Sequence, residues 1–160
     1  AFDRLSKVEQ SVSLILVGSF EQELDPLSKT TLEIIKINSK IKTVGYQKDI
    51  RQYLAISDVF AFPSYREGFP NVVLQAAAME LPCIVTNISG CNEIIQNDQN
   101  GLIIPFKNAD ALFIAMQKLY SDRNLRLRLK QNTRQIIQTR YECTAVWNAL
   151  LKEYHQFEDK

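Results

Sequence analysis

The chain has 160 residues, 46% of them hydrophobic and 23% charged, with a formal net charge of +1. That is one ordinary globular domain with the length to bury a core, which excludes a disordered or fibrous chain and offers no strong field for nucleic acid. No apolar run approaches the ~20 residues of a membrane span, and Cys83, Cys91 and Cys143, without Cys-x-x-Cys spacing, point to reduced thiols in a cytosolic protein and not to bridges or a zinc site.

The opening residues, AFDRLSKVEQ, already carry helical spacing and lack an initiator Met, as expected of a fragment whose first element has been cut into. Five short strands are expected at SVSLILVG, IKTVG, DVFAFPS, PCIVTN and GLIIP, each a nearly continuous apolar run of the kind buried on both faces. Helical patterns fall between and after them, over roughly 25–38, 48–56, 70–80, 91–97 and 108–121. Strand and helix therefore alternate, which predicts an α/β fold: a doubly wound, Rossmann-like parallel sheet with helices on both faces. The last forty residues have no strand signal and read as helices packed over one edge. Tyr141, Trp147, Leu150, Leu151, Tyr154 and Phe157 recur there at spacings near three and four, the pattern of a core-facing stripe and not of an aromatic ligand box.

In such a sheet, ligands sit outside the carboxyl ends of the strands, where loops lead into helix N-termini. The stretch PSYREGFPNVVLQ, residues 63–75, is one of these loops. Pro63 ends the strand, Gly68 is expected to permit a tight backbone path, and Pro70 suits the first turn of a helix running from Asn71 to Glu80. The first free amides, around Asn71 and Val72, then form an anion site with the positive end of the helix dipole. Glu67, just before it, can accept hydrogen bonds from the hydroxyls of whatever a bound phosphate carries, and Gln75 lies on a helix face that can also reach the ligand.

Other residues admit simpler readings. Gly18 and Gly45 end strands, as glycines commonly do. Glu93 suits the first turn of a helix; Arg66, on the loop beside the anion site, either touches phosphate or is only solvated; His155, in a polar stretch near the C-terminus, is no catalytic base. There is no Gly-x-x-x-x-Gly-Lys loop, paired-histidine metal motif or Gly-x-Ser-x-Gly elbow.

The run PSYREGFPNVVLQAAAMELPCIVTN resembles the signature of the retaining glycosyltransferases of the two-domain GT-B fold, in the large family numbered four, and specifically their nucleotide-sugar-binding C-terminal domain. The resemblance extends from AFDRL through LILVGS, IKTVGYQKDI, YLAISDVFAFPS, SGCNEII and NGLIIP to the closing helices. It implies a single donor-binding domain over 1–160, one half of the fold, with the N-terminal acceptor domain absent. It also implies metal-independent transfer of a sugar from a nucleotide diphosphate donor, without a cofactor, to a saccharide or lipid-linked saccharide acceptor held by the missing domain.

By this resemblance Glu67 is the catalytic residue beside the donor sugar, and Gly68, Phe69, Pro70, Asn71, Val72, Gln75, Gly45, Tyr46 and Gly18 bind the nucleotide sugar. Gln75 departs from the family pattern, which has a second glutamate there to hold the ribose diol; an amide can replace it, accepting through oxygen and donating through nitrogen. The family's Arg and Lys after the interdomain linker are not present, and Arg4 and Lys7 align beyond them, so the fragment alone is expected to be inactive. The wording of the motif is most similar to enzymes of bacterial capsule or exopolysaccharide assembly, which implies a cytoplasmic protein, with the inner face of the cell membrane and peripheral association there as a further station. Two other classes stay open: a GT-B relative such as a nucleotide-sugar epimerase, and a noncatalytic α/β binding module.

Overall fold

The computed structural model describes residues 1–24 and 26–158. Its elements alternate as follows: α1 (Phe2–Val8), β1 (Leu14–Leu16), α2 (Lys29–Ile37), β2 (Ile41–Thr43), α3 (Arg51–Ala55), β3 (Phe60–Phe62), α4 (Asn71–Ala78), β4 (Cys83–Thr86), α5 (Cys91–Ile94), β5 (Gly101–Ile104), α6 (Ala109–Ser121), α7 (Arg123–Tyr141) and α8 (Cys143–Glu158). Every ladder is parallel, as expected. The ladders form two groups, β1 with β2 and β3–β4–β5, where the sequence predicts one sheet.

Side-chain alternation along β4 explains why helices cover both faces of the larger sheet. All four β4 residues are buried. Cys83 and Val85 point into a cluster with Val73, Ala76 and Ala77 of α4 and with Ile94 of α5. Ile84 points the other way, into Leu102 and Ile104 of β5, Ala115 and Leu119 of α6, and Leu125 and Leu129 of α7. Each Val, Leu or Ile among them contributes about 1.5–3 kcal/mol when fully buried. α7 begins in the second cluster and ends in the first, at Ile137. The β1–β2 pair is less protected, for none of its strand residues is fully buried.

Several element ends differ from expectation for local reasons. Strand β1 pairs only over Leu14–Leu16 because its register partners are Ile41–Thr43, so the rest of SVSLILVG lies outside the ladder. Helix α2 starts at Lys29 because Ser28 caps it, its hydroxyl accepting the Thr31 N–H at 3.1 Å. Asp25, the expected first residue of that helix, lies outside the described residues, as do residues 159 and 160 of the expected 1–160 domain.

The C-terminal stripe is the main correction. Tyr141 is half-buried, but Trp147 is 60% exposed, Tyr154 66% and Phe157 72%, with Leu150 and Leu151 also exposed. α8 is exposed along both its faces, so its apolar spacing makes a helix face without making core. At the other end of the chain, α1 buries Phe2 and Leu5 and packs on α6. Arg4 pairs with Asp110 and lies over the Phe113 ring, while Lys7 pairs with Asp3 at 2.6 Å.

Candidate functional site

The loop after β3 is fixed from the sheet outward. Thr86, the last residue of β4 and 1% exposed, donates its hydroxyl to the Ser64 carbonyl. The Ser64 hydroxyl in turn donates to Glu67 Oε1 at 2.6 Å, so the carboxylate is tied to the carboxyl end of the sheet by a chain of two hydrogen bonds. A hydroxyl–carboxylate bond of this length is charge-assisted and holds the acid in one orientation. Neither Ser64 nor Thr86 was singled out from the sequence; the Ser-x-x-Glu spacing was the available signal.

Asn71 is the first helical residue of α4, as expected, and Pro70 stands at the position just before it and not within the first turn. Pro70 O accepts the Val73 N–H at 3.0 Å, and no side chain caps the helix end. The amides of Asn71 and Val72 therefore have no intrahelical acceptor, as the first turn of any helix requires. This is the helix end at which the sequence analysis expects an anion. Gln75 is exposed four residues after Asn71 and three after Val72, so it shares their face. The helix itself ends at Ala78, two residues short of the expected Glu80.

Gly68 corrects a second expectation. Its backbone lies outside the left-handed region, and a side chain added there would meet nothing within 4 Å, so its own conformation does not demand glycine. The tight approach is made by Gly90, whose Cα faces this loop: an added Cβ would sit 2.2 Å from Gly68 O and 2.9 Å from Pro70 Cδ. With φ at +78°, Gly90 holds a backbone conformation that side-chain-bearing residues rarely adopt. Glu93 accepts its N–H at 3.0 Å and the Ser89 hydroxyl at 3.2 Å, which fixes the start of α5 against the loop.

Two further groups complete the neighbourhood. Cys91 is fully buried beside the loop; burial, followed by the charge of Glu67, pushes its thiol up to about 11. Tyr141, at the end of α7, donates to the Glu93 carbonyl at 2.7 Å and packs its ring on Phe69, with centroids 5.6 Å apart. Residues 67–72 and Gln75 are thus assembled with Gly90, Cys91 and Tyr141, which the sequence reading did not place there.

Gly18, Gly45 and Tyr46 form a separate group at the carboxyl ends of β1 and β2. Gly18 N–H donates to Gly45 O at 2.9 Å, both glycines have positive φ, and Tyr46 is 76% exposed. Gln47 Nε2 donates back to Val44 O at 2.7 Å and stiffens the turn. A hollow between α2 and β2, lined by Phe20, Leu32, Ile35 and Lys42, contains none of the expected site residues. Among the described residues, no group of three or more His, Cys, Asp or Glu side chains is placed to hold a metal ion, and no helix is long and apolar enough to cross a membrane.

Residues 1–136 match the protein family described as Glycosyl transferases group 1. The chain is 28% identical over 147 residues to the capsular polysaccharide biosynthesis glycosyltransferase CapM of Staphylococcus aureus, covering 92% of this chain and 38% of that protein. It is 33% identical over 134 residues to the N,N'-diacetylbacillosaminyl-diphospho-undecaprenol alpha-1,3-N-acetylgalactosaminyltransferase of Campylobacter jejuni, covering 84% of this chain and 35% of that one. The fold is similar to that of Anabaena Alr3699/HepE in complex with UDP, with a TM-score of 0.86 at 21% identity, over 96% of this chain and 43% of that one. The chain spans less than half the length of each of these proteins. With the family match running through the Glu67–Gln75 loop and all five strands, the chain belongs to the group 1 glycosyl transferases.

Proposed function

We propose that this chain is the C-terminal, nucleotide-sugar-binding domain of a retaining glycosyltransferase that moves a sugar from a nucleotide diphosphate donor to a saccharide or lipid-linked saccharide acceptor in capsule or exopolysaccharide assembly. The observation that carries this reading is the uncapped start of α4 with Glu67 held beside it by Ser64. The amides of Asn71 and Val72 donate to the diphosphate and stabilise the charge that grows on it as the glycosidic bond breaks. Glu67 takes the hydroxyls of the sugar, Gln75 the ribose diol, and the turn at Gly45 and Tyr46 the base, with Gly18 behind it. The relatives support the choice of substrates: one is named for transfer to a diphospho-undecaprenol-linked sugar, and one related structure holds UDP. The site asks for no metal, since helix amides and dipole supply the positive potential.

The test is to titrate the full-length protein with a panel of nucleotide sugars by calorimetry, then follow the anomeric configuration of the product by NMR. The expected outcome is one preferred nucleotide diphosphate sugar, transferred with its configuration kept. Inversion of the anomeric centre refutes the retaining assignment. Conversion of the donor without transfer favours the epimerase class instead, and binding of no nucleotide at all refutes the donor-domain reading.

A further inference from the structure

The buried residues of α7 recur at every fourth position, Leu125, Leu129, Thr133 and Ile137, and Tyr141 is the next place in that series and the last residue of the helix. Packing of the first four therefore aims Tyr141 toward the same side, where it is half-buried against the first core cluster. There it touches two separate loops. Its ring packs on Phe69, midway between Glu67 and Asn71 in the loop after β3, with centroids 5.6 Å apart. Its hydroxyl donates to the backbone carbonyl of Glu93 at 2.7 Å, in the segment after β4. The Glu93 carboxylate accepts the Gly90 N–H at 3.0 Å, and the Cα of Gly90 abuts Gly68 O and Pro70 Cδ. The contacts thus close a ring, from Tyr141 through Phe69 and Gly68 to Gly90, and through Glu93 back to Tyr141. The Arg140 guanidinium carbon, 5.1 Å from the centroid of the same aromatic ring, adds a further hold on it.

We propose that Tyr141 is a positioning residue for the transfer: by holding Phe69 to the Gly90–Glu93 segment, it fixes where Glu67 stands relative to the amides of Asn71 and Val72. The proposal rests on the donor reading for the reaction it serves, while the ring of contacts stands apart from that reading. The two ends of the loop depend on Tyr141 to different degrees. Asn71 and Val72 open α4, whose Val73, Ala76 and Ala77 are fully buried, so the core keeps these amides in place without help from Tyr141. Glu67 is carried by the exposed stretch that ends in Gly68 and Phe69, which is the part a lost clamp releases. Donor binding through the amides then survives, and the loss falls on the step in which Glu67 must meet the reacting sugar, where a misplacement near 1 Å costs up to ~100-fold.

The experiment uses the full-length enzyme with the nucleotide sugar selected by the panel above. Tyr141→Ala is expected to lower kcat by ~10-fold or more with the donor KM within about threefold, whereas Tyr141→Phe, which keeps the ring on Phe69, stays within about threefold of wild type in both. Phe69→Ala is expected to lower kcat as Tyr141→Ala does, and the double variant to lose little beyond either one, because the two side chains act as one contact. Leu125→Ala, a truncation of the same helix in the second core cluster, is expected to lower the urea midpoint and leave kcat within about twofold. Additive losses in the double variant, equal damage by Tyr141→Phe and Tyr141→Ala, or an equal loss of kcat in Leu125→Ala overturns the proposal. A wild-type enzyme that turns over no nucleotide sugar refutes the donor reading, and deuterium exchange of residues 66–71 and 88–93 without nucleotide still decides the clamp. Exchange there is expected to quicken in Tyr141→Ala and not in Tyr141→Phe or Leu125→Ala, and unchanged rates in Tyr141→Ala overturn it.

Discussion

Replacing Gly90 by alanine adds one methyl group and should disable the site from the outside. The new Cβ would lie 2.2 Å from the Gly68 carbonyl oxygen, and ordinary contact requires the two to part by more than about 1 Å. The φ of +78° cannot relax freely, because the Gly90 N–H is bonded to Glu93 and Cys91 beyond it is buried in the core. A side chain in such a backbone region costs about 1–3 kcal/mol, and with the steric conflict the expected loss of stability is about 2–4 kcal/mol. The loop is the side that yields, since Gly68 is exposed while Gly90 is anchored. A displacement near 1 Å of the residues between Glu67 and Asn71 is enough to lower turnover by up to ~100-fold. Urea unfolding measures the first effect, and donor titration with turnover of the full-length enzyme measures the second. Gly68→Ala is the control, because its Cβ would have open space. If Gly90→Ala unfolds at the wild-type urea concentration and turns over normally, or if Gly68→Ala is the more damaging of the two, the account of how this loop is held is wrong.

In the full-length enzyme, Glu67→Ala should lower kcat far more than it raises KM, whereas Gln75→Glu should retain activity and change donor affinity by no more than roughly tenfold; the reverse ranking of kcat and KM effects would exchange their roles. Tyr141→Phe keeps the ring on Phe69 but removes the bond to the Glu93 carbonyl, an expected cost of about 1 kcal/mol by urea unfolding, and Tyr141→Ala should cost distinctly more. The Cys91 thiol, at about 11 when folded against 9.0 ordinarily, stays protonated in the native state while the unfolded chain loses its proton. Stability should therefore be fully present below about pH 9 and fall as the pH rises toward 11, with Cys91→Ala flattening part of that decline in urea midpoints. At pH 8 a thiol reagent should label exposed Cys143 in the folded chain and reach buried Cys83 and Cys91 only on unfolding. The 160-residue chain, with Arg4 and Lys7 committed to Asp110 and Asp3, should bind nucleotide without transferring sugar, and turnover by it in a radiolabelled-donor assay would count against the division of labour proposed.

What the sequence made legible was what neighbours along the chain decide. PCIVTN reads as a doubly buried strand because Cys83 and Val85 of β4 join one core cluster and Ile84 the other, and the helix that starts after Pro70 without a side-chain cap is visible in the order of the residues alone. SVSLILVG overshoots because an apolar run reports burial, while a ladder ends where its partner does. The stripe on α8 shows that helical spacing of apolar residues defines a face without saying that anything covers it. Gly68 sits in the motif, yet the position that must be glycine is Gly90, brought in from another loop by the fold. The partners of the site are equally remote: Thr86 is 22 residues from Ser64 and Tyr141 is 48 from Glu93. No local pattern announces such contacts, because each arises only when separate strand–helix units are laid against the same sheet.

The unequal burial of the two ladders has a dynamic consequence. In β4 the backbone hydrogen bonds are sheltered by side chains on both faces, so their amides should exchange with solvent only through opening of the whole β3–β4–β5 unit. In β1 and β2, with intermediate or exposed residues throughout, smaller excursions suffice, and deuterium should enter there first. The support is then rigid beneath the loop of Glu67 and compliant beneath the turn of Gly45 and Tyr46. Under the proposed reading, a compliant turn can adjust to different bases at little energetic cost, while the amides of Asn71 and Val72 stay fixed in space.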